Sequence, residues 1–404
     1  MRISTSTLFT ESITSMQQMQ SNLAKTNLQM ATGQKMLSPA DDPAAAARAI
    51  ELRQSDASNT QLASNRAAAA NILQLEDGVL SGAVTVMQDL KALGVEMGGV
   101  MTNVTSMKGL ATTLRGRLQE LQGLANSTDG IGNYLFSGAQ GKVQPFATTA
   151  AGVVYQGDDV QRQIQVGQSR QMPTTDSGAD VFMRIRNGNG SFQTSAAAAN
   201  TGTGLVSQGQ VLTAPYNGNS YRISFTSATT FDITDITAGA PGTAVATGQS
   251  YVSGQAITFN GIQLSVNGAP ATGDTFDVKP SANQSVFDTL NQFIALADAP
   301  PAVGDSVGIA KFQQSLQNVM NALDQGLNNV LSVRATVGGR LNELDSLQAT
   351  GDSMGLQFKN SLSKIQDTDY ILAASDFNRQ QLALQAAQSS FARVGQLSLF
   401  SYLR

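Results

Sequence analysis

Proline constrains this 404-residue chain more than any other residue. Inside a helix it removes a hydrogen bond and clashes with the preceding turn, at about 3 kcal/mol. All ten prolines lie between Pro39 and Pro301, with none between Pro43 and Pro145 and none beyond Pro301. Two blocks free to be helical therefore flank a proline-bearing centre. Aromatic residues follow the same division, since none occurs between Phe9 and Tyr134. Residues 1–144 carry 11 basic and 11 acidic side chains and residues 302–404 carry 8 and 8, so the net charge of -4 arises in the centre. A chain of this length exceeds what one core usually organises, so several domains or an elongated body are expected.

The flanking blocks show helical spacing. A first helix reads through Phe9, Ile13, Met16, Leu23 and Met30, interrupted by Gln20 and Asn27 and closed by Gly33. The turn Leu37-Ser38-Pro39-Ala40-Asp41-Asp42-Pro43 follows, with Asp42 as N-cap and Pro43 at the first helical position. The second helix reads through Ile72, Leu75, Val79, Gly82, Val86, Leu90, Leu93 and Met97. Its 3-4-4 step predicts local unwinding, and Gly94, Gly98 and Gly99 weaken it. Thr105 or Ser106 is expected to cap a third helix ending near Asn126. After a shorter helix at Phe287, Leu290 and Ile294, a very long one runs through Leu316, Val319, Leu323, Val330, Val333, Val337, Leu341 and Leu344, again with a 3-4-4 step. It keeps phase past the glycines at 351 and 355.

In the centre the period changes to two, the signature of half-buried antiparallel strands. Tyr221, Ile223 and Phe225 alternate with Arg222, Ser224 and Thr226, and Ile262, Leu264 and Val266 precede an Asn267-Gly268 turn. Thr230-Phe231-Asp232-Ile233 and Thr275-Phe276-Asp277-Val278 echo each other, too briefly to establish a repeat.

Composition excludes much catalytic chemistry. With no Cys and no His there is no imidazole relay, thiolate nucleophile or imidazole zinc site. Gly304-Asp305-Ser306-Val307-Gly308 and Gly351-Asp352-Ser353-Met354-Gly355 match a serine-nucleophile pattern, but neither follows a strand. Ser361-Leu362-Ser363-Lys364 lacks companion motifs. The pairs Asp158-Asp159 and Asp367/Asp369 read as turn and cap residues, and Asn187-Gly188-Asn189-Gly190 as a loop tip. No enzyme, cofactor or metal is expected. No basic cluster suits nucleic acid, no apolar run suits a membrane span, and no apolar segment follows Arg2 as in a secretory signal.

A narrow N-terminal seam cannot bury itself alone. The C-terminal run Leu397-Ser398-Leu399-Phe400-Ser401-Tyr402-Leu403 has the same need. The simplest partner for each end is the other, plus copies in neighbouring molecules. The expected fold is α+β multidomain, with long N- and C-terminal helices paired as a coiled-coil bundle and a central antiparallel β domain inserted. The expected division is 1–43 (assembly helix and turn), 44–144 (helical rod), 145–281 (central β-rich outer domain), 282–355 (C-terminal rod) and 356–404 (C-terminal assembly helix).

Residues Ala31-Thr32-Gly33-Gln34-Lys35 and Ser38 through Ala47 resemble the N-terminal signature of the bacterial flagellin superfamily. Asp367-Thr368-Asp369-Tyr370 through Leu382-Ala383-Leu384-Gln385-Ala386-Ala387-Gln388 resembles its C-terminal signature. Asn133-Tyr134-Leu135-Phe136-Ser137-Gly138, Tyr155-Gln156-Gly157-Asp158 and the ending Leu397-Ser398-Leu399-Phe400-Ser401-Tyr402-Leu403 are similar to its hook-filament junction branch. The resemblance implies an extracellular axial protein, exported unfolded through the flagellar type III apparatus without a cleaved signal peptide. It further implies self-association in a ring or helical layer, with the first hook-associated protein (FlgK), flagellin and an export chaperone as partners. The assembly interface is expected on Phe9, Ile13, Met16, Leu23, Met30, Leu372, Phe377, Leu384, Phe391, Leu397 and Phe400, with Ser38, Pro39, Asp41, Asp42 and Pro43 as the helix-start motif. The alternatives are filament flagellin and, in another class, an adhesin or glycan binder using residues 190–280.

Overall fold

The computed structural model describes residues 5–150, 152–212 and 216–396. The fold is α+β, with helices from both ends of the chain and a central antiparallel β domain. The helices are α1 (Thr5–Thr32), α2 (Pro43–Val100), α3 (Val104–Ala125), α4 (Val286–Asp298), α5 (Ser306–Gln366) and α6 (Tyr370–Gln396). The chain divides into two compact units, Met1–Ser64 with Ser346–Arg404, and Asn65–Asp345. Both α2 and α5 contribute to each unit.

Within the Asn65–Asp345 unit α2 and α5 run antiparallel, as Arg334 to Asp77 and Lys91 to Asp324 ion pairs show. Their buried stripes are regular. In α2 the stripe is Arg66, Ala69, Leu73, Glu76, Leu80, Ala83, Met87, Leu90, Gly94 and Met97, alternating steps of three and four throughout. In α5 it passes through Leu316, Val319, Leu323, Gly326, Val330, Val337 and Leu344, with Arg340 in phase and only 14% exposed. The 3-4-4 steps expected from sequence are therefore not present. They came from bypassing Glu76 on α2 and Arg340 on α5, polar residues at core positions, in favour of apolar neighbours such as Leu75, which is 47% exposed. Gly94 also permits close approach of α5, since a Cβ there would lie 2.2 Å from Met320 Sδ. The third helix is capped by Asn103, whose Oδ1 accepts from Ser106 N, not by Thr105 or Ser106.

Strands begin with the hairpin β1 (Phe146–Thr149) and β2 (Gly152–Tyr155), then β3 (Gln163–Gln165) with β4 (Gln171–Pro173). A turn of wide helix, Ala179–Met183, leads to β5 (Ile185–Arg186). Phe146 packs against Phe182 and Phe287 with ring centroids 5.6 and 5.2 Å away, joining the hairpin to α4.

The central β domain comprises β6 (Phe192–Ala196), β7 (Leu205–Val206), β8 (Gln210–Val211), β9 (Tyr221–Ser227), β10 (Thr230–Asp235), β11 (Thr243–Ser250), β12 (Ala256–Phe259), β13 (Ile262–Asn267) and β14 (Thr275–Pro280), with β15 (Asn283–Gln284) returning to β5. One antiparallel sheet has the order β11-β10-β9-β14-β6, and a second is β12-β13-β7 with β8 also on β13. Tyr221, Ile223, Phe225, Phe231, Phe276 and Val278 of the first meet Ile257, Phe259, Ile262, Leu264 and Val266 of the second in one core. The echoing stretches are the two strands flanking β9, with Phe231 opposite Phe225 and Phe276 opposite Ile223. Gln314 of α5 accepts from Val206 N at 2.8 Å and Lys311 donates to Ala198 O at 2.8 Å, holding this domain to the helix.

Candidate functional site: the paired terminal helices

In the Met1–Ser64 and Ser346–Arg404 unit, α1 and α6 pair antiparallel. The Phe9 and Phe391 ring centroids are 4.5 Å apart at one end, and the Tyr370 hydroxyl abuts Gly33 at the other. The less exposed α1 residues include Met16, Met19, Leu23, Thr26 and Met30, and those of α6 include Ala373, Phe377, Gln380, Leu384, Ala387 and Phe391. Both sets step by three and four, the spacing of a two-helix seam. Thr26 is buried, and its hydroxyl lies 3.0 Å from Gln380 Oε1 and 3.1 Å from Asn22 O.

The loop between α1 and α2 is fastened to the loop between α5 and α6. Lys35 N donates to Gln366 O at 2.7 Å, Thr368 N donates to Gly33 O at 2.9 Å, and Arg53 Nη2 reaches Gln366 Oε1. Gly33 takes φ +69°, a conformation that favours glycine, and a Cβ there would stand 2.9 Å from the Tyr370 hydroxyl. Asp41 organises the turn by accepting from Leu37 N and Ser38 N on one oxygen and from Lys25 Nζ, at 2.7 Å, on the other. The Lys25 hydrogen bond and those from the backbone hold the Asp41 carboxyl below its ordinary pKa. Asp42 Oδ1 accepts from Ala45 N at 2.9 Å, and Pro43 opens α2. A shallow groove beside this turn is lined by Met36, Leu37, Pro39, Ala46 and Ile50.

Of the residues singled out from sequence, Met16, Leu23 and Met30 lie on the α1 seam, and Phe377, Leu384 and Phe391 on the α6 seam. Phe9 and Ile13 are 44% and 38% exposed, while Leu372 points away from the seam at 65% exposure. Leu397 and Phe400 lie outside the described residues. Met19, grouped with Met16 and Met30 from sequence as a set more often core than recognition surface, is on the seam, whereas Ala373 and the polar Thr26 and Gln380, which break the apolar pattern, were passed over. A part-buried polar pair in such a seam helps to set register. Thr26→Val is expected to cost about 1 kcal/mol in thermal unfolding followed by circular dichroism, with part recovered on adding Gln380→Leu.

The motifs that could have carried chemistry have structural roles. Asp305 Oδ1 caps α5 through Gly308 N, and Ser353 bonds back to Ala349 O within that helix. The helix is continuous through 351–355, and Asn59 donates to Gly351 O at 2.7 Å. Asp369 caps α6 through Ile371 N and Leu372 N, and Asp158 closes a turn through Ala139 N and Val160 N. Asn189 does the same through Ser191 N and Phe192 N. Among the described residues no helix is long and apolar enough to cross a membrane, and no three acidic groups converge as metal ligands.

Helical ends that pair with each other, with a β domain inserted between them in the sequence, define a flagellin-type protein. Residues 3–141 match the bacterial flagellin N-terminal helical region and residues 320–403 the C-terminal helical region. The flagellar hook-associated protein 3 of Salmonella typhimurium is 27% identical over 404 residues, covering all of both chains. The Xanthomonas campestris FlgL crystal structure is 30% identical at TM-score 0.70, covering 77% of this chain and 99% of that one. The hook-associated protein-3 of Legionella pneumophila is 30% identical at TM-score 0.71, covering 78% of this chain and 98% of that one. This chain belongs to the hook-associated protein 3 (FlgL) family, within the flagellin superfamily. It is a structural component of the bacterial flagellum and not an enzyme.

Proposed function

We propose that the protein is the adaptor at the hook-filament junction, a self-associated layer that seats on the first hook-associated protein and receives flagellin. One observation carries this. The paired α1 and α6 leave Leu28, Ile371, Leu372 and Leu382 more than half exposed, with Ile50 beside the turn at 62%. Apolar side chains so disposed on both helices suit burial by neighbouring subunits. Full-length similarity to hook-associated protein 3 favours this reading over filament flagellin. In it, residues 1–43 and 356–404 assemble, residues 44–144 and 282–355 form the rod, and residues 145–281 face outward. Export through the flagellar type III route with a chaperone completes the proposal.

Immunogold electron microscopy of intact cells, with antibody against residues 190–280, tests it. Label confined to the filament base is expected. Label along the whole filament would instead mean flagellin.

A further inference from the structure

Glu76 occupies a core position on α2 and is fully buried. Its Oε1 accepts from Asp176 N at 3.0 Å, while its Oε2 has no partner. Around it lies the segment Arg162–Ser177, of which Thr174, Thr175, Asp176 and Ser177 are all buried. The cations near Glu76 make their side-chain hydrogen bonds to other groups, although the buried Arg162 Nε has no partner. Arg340 of α5 gives 2.9 and 3.0 Å bonds to the Asp176 carboxylate, which also takes Gln161 Nε2. Arg162 Nη2 donates to Tyr134 O, and Arg334 of α5 pairs with Asp77, the neighbour of Glu76 on α2. Arg66, three turns earlier on α2, reaches Val166 O in the same segment.

A carboxylate here would have one bare oxygen in a dry site beside a second carboxylate, an arrangement that favours the neutral acid. We propose that Glu76 is a neutral buried acid that latches the Arg162–Ser177 segment onto the α2–α5 pair and frees it on losing its proton. Burial, then the charge of Asp176, pushes the Glu76 carboxyl up to about 8, against the smaller opposing pull of the Asp176 amide, Arg340 and Arg162. The folded protein then holds one proton more than the unfolded chain between the ordinary glutamate value and about 8. Glu76 therefore contributes most below the ordinary glutamate range, loses that contribution as pH rises towards about 8, and loses nothing more above it.

Infrared spectroscopy of the full chain at pH 6 is the test. A protonated-carboxyl C=O band is expected that fades as pH rises through about 8 and is missing from Glu76→Gln. The unfolding constant of the wild type relative to Glu76→Gln should rise about tenfold per pH unit across the window. Amide exchange of Asp176, corrected for its intrinsic pH dependence and compared with Ile223, should lose at least tenfold protection by pH 9. Absence of the band at pH 6, or Asp176 protection unchanged to pH 9, would overturn the proposal. Both readings use the wild type and so survive any failure of the variant to fold.

Discussion

Arg340→Ala should lower the stability of the Asn65–Asp345 unit by about 3–5 kcal/mol, the cost of stripping one partner from a buried ion pair. The Arg340 and Asp176 side chains are 14% and 10% exposed and share two hydrogen bonds. Without the guanidinium, Asp176 keeps only the Gln161 amide among its side-chain donors, and Glu76 loses one of the two cations acting on it. The comparison is Arg170 with Glu343, equally well aligned at 2.8 and 3.0 Å but 58% and 38% exposed. There Arg170→Ala should cost no more than about 1 kcal/mol, because solvent screens the pair and long side chains lose entropy in making it. Urea unfolding followed by tyrosine fluorescence reads both, since the chain has no tryptophan. Equal losses would mean that burial does not set the strength of the Arg340 pair.

The same residue shows where the sequence was legible and where it was not. Proline placement and the change of period located the helices and the β domain, because both are local signals. The Asp42 and Pro43 start of α2 was also legible, since a cap and a first-turn proline act within a few residues of chain. The register of the long helices was not. Glu76 and Arg340 sit at core positions, and a pattern read from apolar residues alone stepped around both and produced an irregular seam. What makes them tolerable is Asp176, 100 residues beyond Glu76 and 164 before Arg340. Nothing in either helix announces that loop. Thr26 and Gln380 repeat the lesson in the terminal pair, 354 residues apart in sequence and 3.0 Å apart in space. Local consistency fails where a polar group is satisfied by a distant segment.

Truncations in the terminal seam should separate assembly from folding. Leu23 and Leu384 lie on facing stripes of α1 and α6, yet both remain partly exposed in the single chain. Phe276, by contrast, is fully buried in the core of the central β domain. Phe276→Ala is expected to destabilise the purified subunit by about 3–5 kcal/mol, while Leu23→Ala and Leu384→Ala should cost it far less. In the assembled layer that gap closes. Once neighbouring copies cover the seam, each leucine truncation should cost about 2–5 kcal/mol per subunit, repeated around the layer. Cells carrying Leu384→Ala should therefore export a folded subunit but shed their filaments, losing spread in soft agar and releasing flagellin into the medium. Melting of the purified variants and flagellin in the supernatant are the two measurements. Equal destabilisation of the subunit by Leu23→Ala and Phe276→Ala would place the seam in the fold of the single chain and remove it from the assembly surface.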